Sequence, residues 1–358
     1  MWEWLLPASA SLGVRVAAGA TVVAVVTALV LFVYTLALRA ATVAGEKRRR
    51  EVIARWRAEF AAAMLSEQHA RGRTLPRYTR RERTDLLEEW NRSCESVGGV
   101  AAANLVIVGE RLGFDALARH MLQRRKLSTR LVAVQTLGHL RSRAEWSRLA
   151  DLLNHDNTAL SITAARALAI IDAREAAPLV MARVITRGDW PLASVSRILK
   201  DLGADLITQP LCNAILTSDA DTSVRLLKYA ELARDERVDQ LIEMLLRERQ
   251  EPAVLAAALK AVRGGTSLPR IEQLAAHDAW YVRMQAARLL GRLGQERDVA
   301  LLETLLGDRE WWVRYRAAQA IVALPSIGLD ELRALLSRQR DPFAHDMLAQ
   351  AMAEVELA

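Results

Sequence analysis

The sequence predicts an all-α protein in which one membrane-spanning helix is followed by a stack of helical pairs, an α-solenoid. Three observations predict this fold. Residues 16–38 carry no charge, a helical motif recurs at a spacing of 31 residues, and the chain is rich in Ala, Leu and Arg. About 20 apolar residues cross a bilayer. Ala, Leu and Arg favour helices, and a fixed period in this range is typical of solenoids.

The apolar stretch 16–38 predicts a single transmembrane helix. It is longer than the apolar core of a signal peptide, which is about 7–15 residues, although small residues near 40–44 would suit cleavage. Basic residues follow the stretch: Arg39, Lys47, Arg48, Arg49, Arg50 and Arg55. Positive charge favours the cytoplasmic side, so residues 1–15 are expected outside the cytoplasm, with Trp2 and Trp4 at the outer interface.

The segment 39–83 is predicted to be a basic juxtamembrane helix followed by a tether. In residues 45–65, apolar residues including Trp56 and Phe60 share one helical face, and basic residues occupy the other. This pattern allows two interpretations. The helix lies on anionic lipid with Trp56 at the membrane surface, or it continues the transmembrane helix and docks on the solenoid or a partner. Residues 66–83 are expected to be extended and solvated, with the solenoid beginning at residue 84.

The repeated motif is clearest in residues 278–294. Its apolar residues recur on one helical face: Val282, Ala286, Leu289, Leu290 and Leu293. Ala317 stands 31 residues after Ala286, and Ala164 stands 31 residues after Ala133. Turn residues between the motifs predict helical pairs at about 85–113, 114–140, 141–172, 173–203, 204–234, 235–265, 266–294, 295–325 and 326–358.

Charge and cysteine usage exclude some classes of protein. The chain has a formal net charge of +7, but residues 1–130 hold 21 Lys and Arg against 12 Asp and Glu. Residues 131–358 hold 28 against 30, so the solenoid is close to neutral and lacks the basic surface of a nucleic-acid binder. Cys94 and Cys212 lie far apart without ligand spacing, which predicts a reducing compartment.

The repeats resemble the HEAT family, most closely the short bacterial form known as phycobilisome-lyase-type HEAT-like repeats. Residues 219–225, D-A-D-T-S-V-R, resemble the turn of that repeat. Val282-Arg283 and Val313-Arg314 resemble both the turn and the Ala-rich helix after it. The resemblance covers roughly residues 114–358. It implies a right-handed solenoid of about eight or nine helical pairs, whose second helices line one binding face.

Aromatic and basic residues at the start of two second helices are candidates for partner binding. They are Trp280, Tyr281, Arg283, Trp311, Trp312, Arg314 and Arg316. Trp, Tyr and Arg are enriched in interface hot spots. The alternative is that one Trp of each pair packs beneath its neighbour as ordinary repeat structure.

The sequence predicts no catalytic residues, metal site or cofactor. His155-Asp156 and His277-Asp278 occupy equivalent turns, but they are four repeats apart and are expected to be turn residues facing solvent. No phosphate loop, nucleophile elbow or metal-ligand spacing occurs. The chain also lacks the paired His-Glu motifs of HEAT-type hydroxylases. A HEAT-like lyase acting on a small molecule or chromophore is the alternative that the motifs leave open.

We therefore predict a non-catalytic scaffold or adaptor, anchored by a single span in a bacterial inner membrane with its solenoid in the cytoplasm. Its expected partners are the lipid bilayer and a membrane-associated protein, and not nucleic acid or a metal. The layout of 75–91 is similar to bacterial HEAT proteins associated with membrane glycosyltransferases of polysaccharide export. That resemblance implies such a glycosyltransferase as the partner.

Overall fold

The computed structural model describes residues 12–72, 74–233, 236–264 and 268–356. These residues form α-helices, three short 3-10 helices and connecting turns, with no β-strand among them. Trp2 and Trp4 lie outside the described residues. The α-helices in chain order are α1 Leu12–Leu65, α2 Glu67–Gly72, α3 Arg83–Ser96, α4 Gly99–Arg111, α5 Phe114–Leu122, α6 Leu127–His139, α7 Trp146–Leu152, α8 Thr158–Ile171, α9 Ala173–Thr186, α10 Leu192–Leu202, α11 Ala204–Thr217, α12 Ala220–Leu227, α13 Glu236–Glu248, α14 Pro252–Ala261, α15 Leu268–Leu274, α16 Trp280–Leu293, α17 Val299–Leu306, α18 Trp311–Ala323, α19 Leu329–Arg338 and α20 Pro342–Glu356.

The predicted all-α fold is confirmed. Each of the predicted pairs contains two of the helices α3 to α20, so the described residues hold nine helical pairs. The agreement has a simple cause. The Gly, Pro, Asp and Asn residues that mark the pair limits end helices or cap them, and the apolar residues between them repeat with helical spacing. The chain divides after Leu140 into two compact units.

The first unit is built around the C-terminal half of α1. This 54-residue helix exposes its described side chains up to Arg50, apart from the half-buried Val22, then packs against α3 and α4. Trp56 and Phe60 are fully buried, with their ring centroids 5.7 Å apart. On α3, Trp90 is buried against Phe114, and its indole N–H donates to the Leu105 carbonyl oxygen at 3.0 Å. The first unit therefore has an aromatic core of its own.

The juxtamembrane helix agrees with the second of the two interpretations, and the connector after it differs from the predicted tether. α1 runs without a break from Leu12 to Leu65, so the helix that follows the apolar stretch is a continuation of it. The connector after it contains the short helix α2, on which Ala70 is buried. The Tyr78 hydroxyl then donates to the Leu112 carbonyl oxygen at 3.0 Å. Residues 51–83 thus belong to the first unit, and the predicted boundary at residue 84 does not separate two structures.

The second unit is a stack of helical pairs from α7–α8 to α19–α20. Second helices of neighbouring pairs pack against each other from α12 through α14, α16 and α18 to α20. The alanines that the repeat places at 164–165, 286–287 and 317–318 are fully buried. Small side chains at these positions let neighbouring helices approach closely, as the sequence predicts. The repeats therefore share one continuous apolar core, since a single helical pair cannot bury its apolar face alone.

Candidate functional site

The candidate site lies on the N-terminal ends of three second helices in the second unit. α16 begins at Trp280, α18 begins at Trp311, and α20 begins one residue before Phe343. α16 and α18 are in near backbone contact, since a Cβ on Gly291 would lie only 2.5 Å from the Ala320 Cα. Because equivalent helices lie side by side, the residues at their N-terminal ends share one edge of the stack.

Six rings occupy this edge and define an aromatic surface consisting of Trp280, Tyr281, Trp311, Trp312, Tyr315 and Phe343. Four of these rings are exposed, and the two tyrosines are half-buried. Trp280 is 36% exposed, Trp311 42%, Trp312 51% and Phe343 66%. The alternative, in which one Trp of each pair packs beneath its neighbour, therefore does not describe these three tryptophans. Large exposed apolar rings gathered at one place are uncommon on the surface of a protein and mark interaction sites.

The rings on α18 are held in a fixed arrangement. Trp311 and Tyr315 are one helical turn apart and stack at 5.1 Å with an interplanar angle of 13°. Trp312 meets Trp311 edge to face, with centroids 4.7 Å apart. On α16, Trp280 meets Tyr281 edge to face at 5.7 Å. A surface whose rings already support each other loses little side-chain entropy when a partner binds.

Arg283 does not belong to this surface, which corrects the sequence-based assignment. Its side chain is 9% exposed and grips Asp308 of the next pair, with Nε 2.6 Å from Oδ2 and Nη2 2.8 Å from Oδ1. Its Nη1 also donates to the carbonyl oxygens of His277 and Asp278, both at 2.8 Å. The Arg of this motif is thus a link between repeats, and its burial removes it from any partner.

The pKa values of both members of the Arg283–Asp308 pair are shifted. Burial alone raises the pKa of the Asp308 carboxyl, but hydrogen bonds from Arg283 and from the Glu310 amide outweigh it and leave the pKa below its usual value. The pKa of Arg283 is raised, first by its hydrogen bond to Asp308. Both groups therefore stay charged at neutral pH, which is what a bidentate buried pair requires.

Arg314 and Arg316 remain partly accessible beside the rings. Arg314 donates to the Asp308 carbonyl oxygen at 3.0 Å and lies over the Phe343 ring, 5.5 Å from its centroid. Arg316 lies 5.8 Å from the Tyr315 centroid and donates to the Gln319 side chain at 2.7 Å. Cations over ring faces stabilise the aromatic arrangement and add positive charge to the edge of the surface.

A groove of about 360 Å³ between α16 and α18 adjoins the aromatic surface through Arg316. Three arginines line it, namely Arg288, Arg292 and Arg316, above a floor that includes Gly291 and Ala320. Arg292 also donates to the Val262 carbonyl oxygen of the preceding pair. Arg288, Arg292, Tyr315 and Phe343 were not among the residues predicted from the sequence. Their spacing contains the signal, since 288 and 292 are one turn apart on the side of α16 away from its apolar stripe.

The predicted membrane-interface residues fall into two sets. Arg39, Lys47, Arg48 and Arg50 are exposed on α1. Arg49 lies 2.6 Å from Glu88 and Arg55 lies 3.0 Å from Glu82, so both hold α1 against α3. Trp56 is fully buried in the first unit, which corrects its assignment to the membrane surface. Its indole packs in the protein interior and cannot reach a headgroup layer.

The turn histidines have a structural role. His155 Nδ1 accepts a hydrogen bond from the Asn157 amide at 3.0 Å, and His277 Nδ1 accepts one from the Ala279 amide at 3.0 Å. Asp308 accepts from the Glu310 amide in the same way at 2.9 Å. His and Asp are therefore interchangeable acceptors that fix the turn before the second helix. Among the described residues, no group of three or more His, Cys, Asp or Glu side chains is placed to hold a metal ion.

Neither cysteine is part of the aromatic surface. Cys94 and Cys212 are buried, and neither is in a disulfide. Burial raises the pKa of the Cys94 thiol, which keeps it protonated and unreactive.

Comparison with known proteins supports the repeat assignment for the C-terminal part of the chain. Residues 238–322 and 267–353 match the HEAT repeats family. No curated protein matches the sequence. Among solved structures, an engineered protein of known crystal structure is similar at 15% identity, covering 82% of this chain and 88% of that one, with a TM-score of 0.33. The matched residues include α16, α18 and most of α20, so the aromatic surface lies in the part of the chain that is similar to HEAT repeats.

Proposed function

We propose that this chain is a non-catalytic, membrane-anchored scaffold that binds a partner protein and holds it at the cytoplasmic face of a bacterial inner membrane. The observation that carries the proposal is the aromatic surface. Trp311 and Trp312 are 42% and 51% exposed, although each is large enough to stabilise a core if buried. Exposed Trp pairs at the edge of a repeat stack have the composition of an interface hot spot.

The chemistry of the surface defines the partner. Exposed rings favour an apolar or aromatic anchor from the partner, and the groove lined by Arg288, Arg292 and Arg316 favours acidic side chains next to that anchor. We therefore expect a protein segment that presents an apolar anchor flanked by Asp or Glu. Tethering the scaffold would raise the effective concentration of this partner near the bilayer.

Several features of α1 support the membrane anchor. The helix is long and apolar enough to cross a membrane, with a mean hydropathy of 2.5 in its most apolar window and none of that window buried. The hydroxyls of Thr21, Thr27 and Thr35 each donate to a backbone carbonyl one turn earlier, at 2.8 Å. Polar groups in lipid need such internal partners. The unbroken helix past residue 44 also favours an anchor over a cleaved signal sequence.

In its more specific form, this proposal names a membrane glycosyltransferase of polysaccharide export as the partner. It rests on the resemblance in residues 75–91. In the structure, Leu87, Trp90 and Asn91 are buried, and the Asn91 side chain donates to the Val132 carbonyl oxygen at 3.2 Å. That part of the motif therefore serves the packing of the first unit, so the partner is better sought through the aromatic surface.

The test compares partner capture by full-length variants solubilised from membranes in a mild detergent. Trp311→Ala and Trp312→Ala are each expected to reduce captured partner at least tenfold, since a hot-spot side chain contributes about 2 kcal/mol or more. Captured proteins are identified and quantified by mass spectrometry. Leu192→Ala is the matched control, because Leu192 is 49% exposed and also begins a second helix.

Thermal melts of each variant establish that the repeats remain folded. If both tryptophan variants fold and capture the same membrane protein as the wild type, the aromatic surface is not the binding site. If the wild type captures no protein and instead carries a bound small molecule, the scaffold proposal fails.

A further inference from the structure

A second surface, in the first unit, has a different chemistry. A cavity of about 520 Å³ lies between the turn that leads into α3 and the turn that joins α5 to α6. Six cations line it, and we call it the arginine groove: Arg80, Arg81, Arg83, Arg124, Arg125 and Lys126. Its lining also contains the buried side chains of Leu117 and Met121 on α5. The groove is thus basic at its rim with an apolar part below.

The six cations are not balanced by the protein. No Asp or Glu lines the groove, and none of the six is ion-paired with a residue in the described part of the chain. Other arginines of this unit are paired. Arg49 and Arg55 contact Glu88 and Glu82, and Arg119 contacts Asp115. The arginines that hold the fold together are therefore paired with Asp or Glu. The cations of the groove are not, so the groove is positively charged.

Two arginines at the groove have unusual hydrogen bonding: one has a buried donor without an acceptor, and the other donates to a histidine. The Arg83 Nε is buried, and no described residue accepts its hydrogen bond. A buried, unsatisfied donor on a charged group is costly, unless a ligand completes it. Arg124 Nη2 lies 2.8 Å from His120 Nε2, a contact in which the guanidinium donates to the ring nitrogen. This contact directs one guanidinium at the groove without using a carboxylate, so its charge stays available.

We propose that the arginine groove is a binding site for a phosphate-bearing anion. Five of the six cations are Arg, whose planar guanidinium binds phosphate oxygens through two parallel hydrogen bonds. The volume lies in the range of small-molecule sites, about 300–1,000 Å³. The apolar side chains of Leu117 and Met121 fit the uncharged part of a phosphate ester. No Phe, Tyr or Trp is part of the described lining, so the groove lacks the large aromatic platforms typical of single-stranded nucleic-acid sites.

The same phosphate chemistry has two sources, a soluble phosphate ester and a lipid headgroup. Glu82 joins the groove's first turn to Arg55 of α1 at 3.0 Å. At a rise of 1.5 Å per residue, Arg55 is roughly 25 Å along α1 from Leu38, the last residue of the apolar stretch. A headgroup layer is only about 5–8 Å deep on each side of the hydrocarbon core. A soluble ester therefore reaches the groove without constraint, whereas a headgroup requires α1 to tilt.

The experiment measures anion binding to the full-length chain under two conditions. In neutral detergent micelles the probe is inorganic pyrophosphate, titrated by calorimetry at constant ionic strength. In nanodiscs, phosphatidylcholine alone is compared with phosphatidylcholine containing phosphatidylglycerol, by pyrophosphate competition. The wild type is expected to bind pyrophosphate in micelles and to be stabilised by it in thermal melts more than by chloride. Pyrophosphate binding weakened at least tenfold by phosphatidylglycerol identifies a headgroup as a second ligand of the same site.

Matched double variants distinguish specific binding at the groove from a general effect of positive charge. Arg81→Gln with Arg125→Gln removes two groove cations and is expected to weaken pyrophosphate binding at least tenfold. Arg48→Gln with Arg77→Gln removes two exposed cations outside the lining and is expected to change binding less than twofold. The thermal stabilisation of the wild type by pyrophosphate is a second readout that requires no variant.

Three results would overturn the proposal. The first is a wild type that binds neither pyrophosphate nor phosphatidylglycerol above the chloride and phosphatidylcholine controls. The second is an equal loss of binding in both double variants, which would assign the effect to net charge. The third is tighter binding of an oligoglutamate peptide than of pyrophosphate at equal ionic strength, which would assign the groove to an acidic protein segment. None of these results depends on the aromatic surface, so this site and the proposed scaffold function fail separately.

Discussion

At the scale of single residues, the Val-Arg of the repeat motif carries two different roles. Arg283 is buried and links two pairs through Asp308, whereas Arg314, one repeat later, lies over Phe343 and remains partly accessible. The sequence presents both in the same pattern. The turn after each of them carries an Asp, Asp308 and Asp341, but only Arg283 is seen to bind its Asp with two hydrogen bonds.

Replacing Arg283 is expected to destabilise the stack around α16 and α18. Arg283→Ala leaves the Asp308 charge buried and removes a bidentate contact between repeats, an effect of about 3–5 kcal/mol. Hydrogen exchange of the α16 and α18 amides measures the loss locally, which matters because repeat stacks open in parts. Arg340→Ala is the control, since Arg340 is exposed and takes no part in the pair. Equal protection in the Arg283→Ala variant and the wild type would mean that the pair contributes nothing.

The same pair predicts an acid-dependent loss of stability. Because the pKa of Asp308 is lower in the folded chain than in the unfolded chain, its contribution is complete above the unfolded value of about 3.9. The contribution is lost as pH falls towards the folded pKa. Asp308→Asn is therefore expected to be less stable at neutral pH and to lose less stability on acidification below about pH 4. Thermal midpoints across that window measure it, and parallel curves for variant and wild type would refute it.

At the scale of helices, contact between neighbouring second helices depends on small residues. Gly291 faces the backbone of α18, where an added Cβ would lie 2.5 Å from the Ala320 Cα. Elsewhere in a helix, Gly is less favourable than Ala by roughly 0.5–1 kcal/mol. The presence of glycine at position 291 is therefore explained by close helix packing and not by helix propensity. Gly291 also shapes the floor of the groove between α16 and α18.

Gly291→Ala is expected to lower stability by about 1–3 kcal/mol, since it forces two helices apart at a close contact. Gly45→Ala in α1 is the matched control. Gly45 has no atom within 4 Å of an added Cβ, so Ala there is expected to be neutral or stabilising. Thermal unfolding of both variants in the same detergent compares them. A Gly291→Ala protein as stable as the Gly45→Ala protein would show that the helices relax without cost.

At the scale of the whole molecule, the chain combines an apolar helix with two compact units. Because nearly all described side chains of α1 up to Arg50 are exposed, the rest of the described chain does not cover the apolar stretch. A helix of this kind in water would leave a large apolar surface unprotected, whereas a bilayer buries it. A spanning α1, as proposed above, would bury this apolar stretch in the bilayer.

Charged residues in the middle of the apolar stretch are expected to abolish membrane association. Val26→Arg with Val30→Arg adds about 2.5–3.5 kcal/mol per residue to insertion. Carbonate extraction of membranes followed by immunoblotting measures the result, with Val26→Leu and Val30→Leu together as the control. A reporter fused to the C-terminus checks the orientation, and activity of a reporter that works only outside the cytoplasm would contradict it. Retention of the arginine variant in the pellet would count against a spanning α1.

Sequence patterns determined the helices because their causes are local. Apolar residues at helical spacing, turn residues at a fixed period and capping residues such as Asp219, whose side chain accepts from the Thr222 amide at 2.8 Å, act within one repeat. The same patterns located the aromatic residues at the start of α16 and α18. They did not decide which side chains stay exposed, because burial depends on what the neighbouring repeat presents.

Only the tertiary structure separated Arg283 from Arg314, placed Trp56 inside the first unit, and joined residues 80–83 to residues 124–126 in the arginine groove. Each of these depends on contacts between segments that are distant in sequence. The 31-residue period fixed the existence of the repeats and the apolar stretch fixed the presence of a candidate anchor, since hydrophobic burial follows residue type and spacing. Whether two charged side chains pair depends on distances of a few ångströms. Those distances are set only when the helices pack.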